Sequence, residues 1–254
     1  MEHLNQSKWK KNSIMIENKE LQNHLPETSE FSKSDLWSFV DKYRKVILKP
    51  SNGSWGKDIF KLSMLSDDIY EIHFKDEKMH FARRDEAFAY LKDKIASRPY
   101  LIQRYIPLLT INKSPLDIRV ITQKTNDSNT WMVTGKLAKV AGKGFIVTNY
   151  KSGGSIIPFD QAIRDSCSTI SSAEMESLHS EINRVTLIAS DCLEDYYKEQ
   201  RIFGFDIGLD EQGHIWIIEV NLRPSLALFY QLENKSTYWS IKKIRNDWKK
   251  LNRR

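Results

Sequence analysis

Apolar and polar positions change period often along this chain, in short blocks. Residues 34–43 have helical spacing and predict a short helix with Ser32 or Ser34 as N-cap. The run Val46-Ile47-Leu48 predicts a strand leading into Lys49-Pro50, and 51–57 is a small-residue loop. Short strands are predicted over 59–63, 69–74 and 78–82, then a helix over 85–96 and a strand over 100–105. Further on come strands over 117–123 and 131–140, a loop-rich stretch over 142–154, and one long amphipathic helix or two over 173–199. Strands over 202–209 and 214–220 close the series, joined by a turn containing Gly213. The rest of the first fifty residues is mixed, and no internal repeat or low-complexity linker is visible. Strands and helices alternate irregularly in two groups, which predicts two α+β lobes and not one doubly wound sheet.

The last two strands carry the most chemistry. With Gln212-Gly213 as a two-residue loop, Asp206 falls directly across from Glu219. Opposed residues share a face, and so do residues two apart. Asp206, Glu219 and Asn221 then line one face, with Gly204 and Gly208 as gaps beside them. Phe205, Ile207, Leu209, Trp216, Ile218 and Val220 take the other face and read as core. Two carboxylates about 5 Å apart repel each other unless a cation compensates. Two carboxylates and an amide carbonyl suit Mg2+ or Mn2+ and not zinc. A polar face of an edge hairpin is the plain alternative; the glycines, Asn221 and Arg223-Pro224 favour metal. Near the other end, Lys49 precedes a loop with Gly53 and Gly56, where backbone N–H groups can turn toward an anion. The loop is not of Walker A type, because its glycines are three apart and Asp58 follows Lys57; a plain turn explains it equally well.

Composition narrows the class. In 254 residues, 40% apolar and 28% charged content supports a real core in one large domain or one two-lobed module. No stretch approaches the roughly 18 apolar residues of a membrane span, and the N-terminal charges have no apolar run behind them. Two cysteines, Cys167 and Cys192, make no disulfide scaffold, and the six histidines include no HExxH-type pair. A soluble protein of a reducing, cytoplasmic compartment is expected. The net charge of +6 suggests nucleic acid until it is located: residues 241–254 hold seven basic residues and one acid, leaving 32 of each sign elsewhere. The body is neutral, and Trp131 and Trp216 lie in strand patterns, so nucleic acid is disfavoured. The basic tail either docks through Ile241, Ile244, Trp248 and Leu251 or binds a phosphate polymer or acidic surface.

Together, the lysine strand, the glycine loop, the later strand and the D-x12-E-x-N hairpin of Asp206, Glu219 and Asn221 resemble the ATP-grasp superfamily. Within it the chain is similar to the spore-coat-associated YheC/YheD type over about residues 8–235. The resemblance implies an ATP-grasp fold with the nucleotide between two lobes. An ATP-grasp domain would span 1–240, with a small lobe at about 35–105 and a large lobe at about 106–240 that includes the N-terminal segment. A basic helix would follow over 241–254.

The resemblance also assigns roles. Lys49 and Lys8 would reach the nucleotide. Gln103, Arg104, Tyr105 and Ile106 would form the hinge whose backbone reads adenine, with Ile106 packing on the ring. Asp117 would hold the ribose, and Arg119 a phosphate or acyl phosphate. Lys139 and Asn149 match the basic residue and asparagine of the superfamily's ribosomal-protein-modifying glutamate ligases, with lysine where arginine is usual. Asp206, Glu219 and Asn221 would hold magnesium. The implied activity is an ATP- and Mg2+-dependent carboxylate–amine ligase that forms an acyl phosphate. Its carboxylate and amine substrates could be peptide or protein, and a protein partner could replace the substrate-binding domain that usually precedes. The rival readings are a non-catalytic ATP-binding or structural spore-coat-associated protein, and nucleic-acid or surface binding through the tail.

Overall fold

The computed structural model describes residues 7–53, 56–66, 69–125, 130–145, 148 and 153–251; the side chains of 249–251 are outside the description. Two antiparallel sheets face each other across a cleft. The small-lobe sheet has the order β1 (Thr28–Glu30), β6 (Tyr100–Arg104), β2 (Lys45–Pro50), β3 (Phe60–Ser66), β4 (Ile69–Phe74), β5 (Glu77–Phe81). Helices α3 (Lys33–Tyr43) and α4 (Arg84–Ile95) cover one face of it. Alternation along each strand places Val46, Leu48, Phe60, Leu62, Tyr70 and Ile72 against those helices. It leaves Ile47, Lys49 and Gln103 on the face turned to the large lobe. Ser32 caps α3 by accepting the Asp35 N–H at 3.0 Å.

The large-lobe sheet has the order β10 (Ser155–Pro158), β9 (Trp131–Val140), β8 (Ser114–Lys124), β11 (Ile202–Leu209), β12 (Ile215–Asn221), with β7 (Thr110–Ile111) on β8. Its main core lies on the face covered by α1 (Lys8–Ile16), α2 (Lys19–Gln22), α5 (Phe159–Ser166) and α6 (Ser172–Glu194). Helix α6 opens with a capping box between Ser171 and Glu174. It ends soon after Leu193, its last fully buried apolar residue, short of the predicted 199. Helix α1, which the sequence pattern did not assign, ties the lobes together. Ile14 and Met15 join the large-lobe core, while Lys8 N–H donates to Ser51 O at 2.9 Å in the small lobe. The opposite face of the sheet is covered partly by α7 (Ala227–Gln231) and α8 (Ser236–Leu251), where Ile121, Leu137, Phe229 and Ile241 pack. The rest of that face is one wall of the cleft.

The β11–β12 hairpin departs from its predicted geometry in two compensating ways. Its loop has three residues, 211–213: Asp210 N–H donates to His214 O, and Gly213 N–H to Asp210 O at 2.9 Å. The Asp210 carboxylate accepts from the Gln212 and His214 N–H groups, and Gly213 takes a left-handed φ of 77°. The extra loop residue moves the pairing to Leu209↔Ile215 and Ile207↔Ile217. A bulge at Ile218 then restores Gly204↔Asn221 and Asp206↔Glu219. Between loop and bulge, the faces are exchanged relative to expectation. Ile215 and Ile217 are buried core, and Ile218 lines the cleft. Trp216 is half-buried, with its indole N–H on the Asp210 carboxylate at 2.8 Å. Nor are Gly204 and Gly208 open gaps: an added Cβ would come within 2.5 Å of Pro224 and Leu108 side-chain atoms respectively.

The C-terminal helix begins at Ser236. Ile241 is fully buried, Ile244 and Trp248 are half-buried, and the Leu251 side chain lies outside the described residues.

Candidate functional site

A cavity of about 300 Å³ lies between the two sheets. Lys49, Gln103, Arg104, Tyr105, Ile106, Asp117, Arg119, Lys139, Asp206, Glu219 and Asn221 all border it. Lys8 borders a small recess next to it, together with Lys11, Lys49, Gln103 and Glu219. Asn149 lies outside the described residues; its neighbour Thr148 lines the cavity and donates its hydroxyl to the Asp117 carboxylate.

On the large-lobe wall, β8, β9 and β11 bring four charges together. Arg119 grips Asp206 with two nitrogens, at 2.8 and 3.0 Å. Lys139 reaches Asp206 at 2.9 Å and Asp117 at 2.8 Å. The register requires this grouping, since Asp206 pairs with Arg119, and Asp117 with Lys139. Burial opposes the charge on Asp206, but Arg119 and Lys139 outweigh it and hold the carboxyl far below the usual carboxylate range. Asp117 is pushed up to about 6, by burial first and by Asp206 second, against the pull of Lys139.

The other wall is built from lysines. Lys49, on β2, donates to Gln103 Oε1 at 2.8 Å and Ile218 O at 3.1 Å. Lys8, on α1, donates to Gly53 O at 2.7 Å and stands 3.6 Å from Glu219. Lys11, three residues further and on the same helix face, is buried and donates to Val220 O. Burial lowers both Lys49 and Lys11 to about 8, with Glu219 pulling the other way. Lys11, Thr148, Ile47 and Ile218 line the site without having been assigned to it from the sequence, which placed Ile218 in the core.

At the hinge, Ile106 and Ile47, which pairs with Gln103, supply apolar lining, and Leu228 of α7 also lines the cavity. The Arg104 guanidinium lies over the Trp216 ring at 5.2 Å and the Tyr43 ring at 5.3 Å. The cavity thus has an apolar end near the hinge and a charged end beside the hairpin.

Comparison with known proteins decides the lineage. The family described as YheC/D like ATP-grasp matches residues 2–246. The chain belongs to this family. Two endospore coat-associated proteins of Bacillus subtilis (strain 168) are among its relatives. YheD is 30% identical over 193 residues, covering 74% of this chain and 41% of its own length. YheC is 26% identical over 204 residues, covering 79% and 55%. The chain therefore spans about half the length of these relatives. Solved structures share the fold. D-cycloserine synthetase DcsG superposes with a TM-score of 0.54 at 12% identity, over 92% of this chain and 67% of its own. The N5-carboxyaminoimidazole ribonucleotide synthetase purK, an ADP complex, gives 0.52 at 14% identity, over 95% and 52%.

The ATP-grasp architecture is thus that of this chain, and its residues can be tested for a metal. Among the described residues, no three His, Cys, Asp or Glu side chains group to hold one. A site here needs the Asn221 amide oxygen beside Asp206 and Glu219. Asn221 Nδ2 points to Asp206 Oδ2 at 3.3 Å, which leaves the amide oxygen as a donor. Glu219, with a single lysine 3.6 Å away, is the less neutralised carboxylate. The donors are all oxygen and suit a hard divalent cation; Glu219 and the Asn221 amide oxygen are open to one, whereas Asp206 would have to give up a bond to Arg119 or Lys139 to join them.

Proposed function

We propose that this protein is an ATP-dependent carboxylate–amine ligase. One observation carries the reading: a single cavity joins an apolar, hinge-lined end to an end where lysines face an opposed Asp/Glu pair. Such a cavity matches a nucleotide, with the base at the hinge and the phosphates at the lysines. Ile47 and Ile106 would sandwich the base, Asp117 would accept from a ribose hydroxyl, and Lys49 and Lys8 would turn from carbonyl oxygens to phosphate oxygens. Asp206, Glu219 and Asn221 would hold Mg2+ or Mn2+, which when bound supplies neutralisation of phosphate charge.

In the reaction, an oxygen of the substrate carboxylate attacks the γ-phosphorus, the bond to the bridging oxygen breaks, and ADP leaves. The amine then attacks the acyl carbon, its C–O bond breaks, and phosphate leaves as the amine loses a proton. Arg119 and Lys139 stabilise the negative oxygens of both steps from fixed positions. No side-chain nucleophile is needed. Cys192 is half-buried and its sulfur accepts a hydrogen bond from Asn18 Nδ2 at 3.2 Å, and Cys167 is exposed at the end of α5.

One feature favours a second reading, nucleotide binding without turnover: Lys139 is already committed to two carboxylates and lacks a guanidinium's fork. Following ADP release from ATP and Mg2+ in the presence of candidate acceptors separates the two. Binding with acceptor-dependent ADP supports the ligase, and binding without ADP from any acceptor supports the scaffold. By the names of its relatives, association with the spore coat is the proposed location.

A further inference from the structure

Helix α8 buries one side on the body and offers another to solvent. Ile241 is fully buried, whereas Trp239 is 53% exposed and Tyr230, in α7, is 49% exposed. These rings form one cluster: Tyr230 meets Tyr238 edge-on at 5.1 Å, and Tyr238 meets Trp239 at 5.0 Å. Ammonium groups sit on them. Lys235 lies 4.7 Å from the Tyr230 ring, and Lys242 lies 4.9 Å from Trp239 and 5.5 Å from Tyr238. The formal charge excess of +6 falls in residues 241–254; α8 holds five of their seven basic residues and their one acid, a net of +4, whereas the body is neutral.

Large exposed rings cost free energy in water, and a concentrated charge needs a counter-charge. Both point to the same kind of partner. Indole and phenol rings interleaved with lysines are the chemistry of a membrane–water interface, where rings enter the headgroup layer and ammonium groups meet lipid phosphates. Duplex DNA would engage the charges but gain little from the rings. Stacking a base on Trp239 or Tyr230 would have to displace the lysines already there. We propose that the α7–α8 face is a docking surface for an anionic phospholipid bilayer. The protein lies on that surface and does not cross it: no described helix is long and apolar enough to span a membrane. The inference does not depend on the nucleotide site.

The test is co-sedimentation of the full chain with vesicles of phosphatidylglycerol in phosphatidylcholine, against phosphatidylcholine alone. Binding is expected with phosphatidylglycerol only. Trp239→Ala should lower the partition coefficient roughly tenfold, by removing a ring that enters the interface. The pair Lys235→Gln and Lys243→Gln should lower it about thirtyfold, from the usual contribution of each basic residue near an anionic surface. Because Trp239, Lys235 and Lys243 are exposed, the melting temperature should not move. Equal binding to both vesicle types would overturn the proposal, as would unchanged partition of Trp239→Ala. So would capture by duplex DNA or polyglutamate with no vesicle binding.

Discussion

The two walls of the cleft handle buried charge differently. On the large-lobe wall, Arg119 and Lys139 face Asp117 and Asp206, so each positive side chain has a negative one within 3.0 Å. On the other side, Lys49 of the small lobe and Lys8 and Lys11 of α1 converge near Glu219, and their hydrogen bonds go to the carbonyls of Gly53, Val220 and Ile218 and to Gln103 Oε1. A carbonyl oxygen satisfies a donor without cancelling its charge. The first wall is neutral and fixed before any ligand arrives. The second carries a positive surplus that an incoming polyphosphate can claim. Rigidity and affinity are therefore built from the same residue types placed against different partners.

Carboxamide substitutions on the two walls should give the largest contrast. Asp206→Asn leaves two buried cations poorly matched and should cost about 3–5 kcal/mol of stability, measured by denaturant unfolding. Glu219→Gln, whose carboxylate makes a single 3.6 Å contact but faces three lysines, should cost less, about 1 kcal/mol, while abolishing nucleotide turnover. Equal stability losses would erase the distinction between the walls.

Gly204→Ala comes next in size. Its Cβ would meet Pro224 at 2.5 Å, so overpacking should cost about 1–3 kcal/mol in the same unfolding measurement. A neutral result would mean that Pro224 moves aside freely and does not fix the chain leaving β12.

A smaller effect should appear as a pH dependence. Lys49 and Lys11 sit at about 8 because burial disfavours their charged forms. A bound phosphate favours those charged forms. Below about pH 8 both lysines carry their protons before and after binding, so affinity should be level. Above it, binding must take up protons, and affinity should fall as pH climbs toward the ordinary lysine range near 10.5. Calorimetric titration of ATP with Mg2+ across this range checks the sign; affinity that rises with pH would contradict it.

Much of this arrangement was legible in the chain. The strands over 69–74, 131–140 and 202–209 follow from plain alternation, and the Asp206–Glu219 pairing was read correctly. Its derivation was not: an Asx-capped three-residue loop and a bulge at Ile218 each shift the register by one residue, and the shifts cancel. Turn chemistry at Asp210 and Gly213 could have revealed the first; nothing local marks the second, which depends on tertiary packing. Helix α1 was missed because Lys8, Lys10 and Lys11 interrupt its apolar stripe. Lys11 is polar by type yet buried, so no hydrophobic pattern could find it. Its one local cue was the spacing of three from Lys8.

The central claim is that the lysine wall receives a nucleotide's phosphates. The most direct test is the melting temperature with and without ATP and Mg2+, for the wild type and Lys49→Ala. The wild type should gain about 2.7 kcal/mol of stability at a hundredfold excess over Kd, seen as a higher melting temperature. Lys49→Ala should show most of that gain lost. A wild-type melting temperature unmoved by millimolar ATP with Mg2+, or an undiminished gain in Lys49→Ala, would contradict the account.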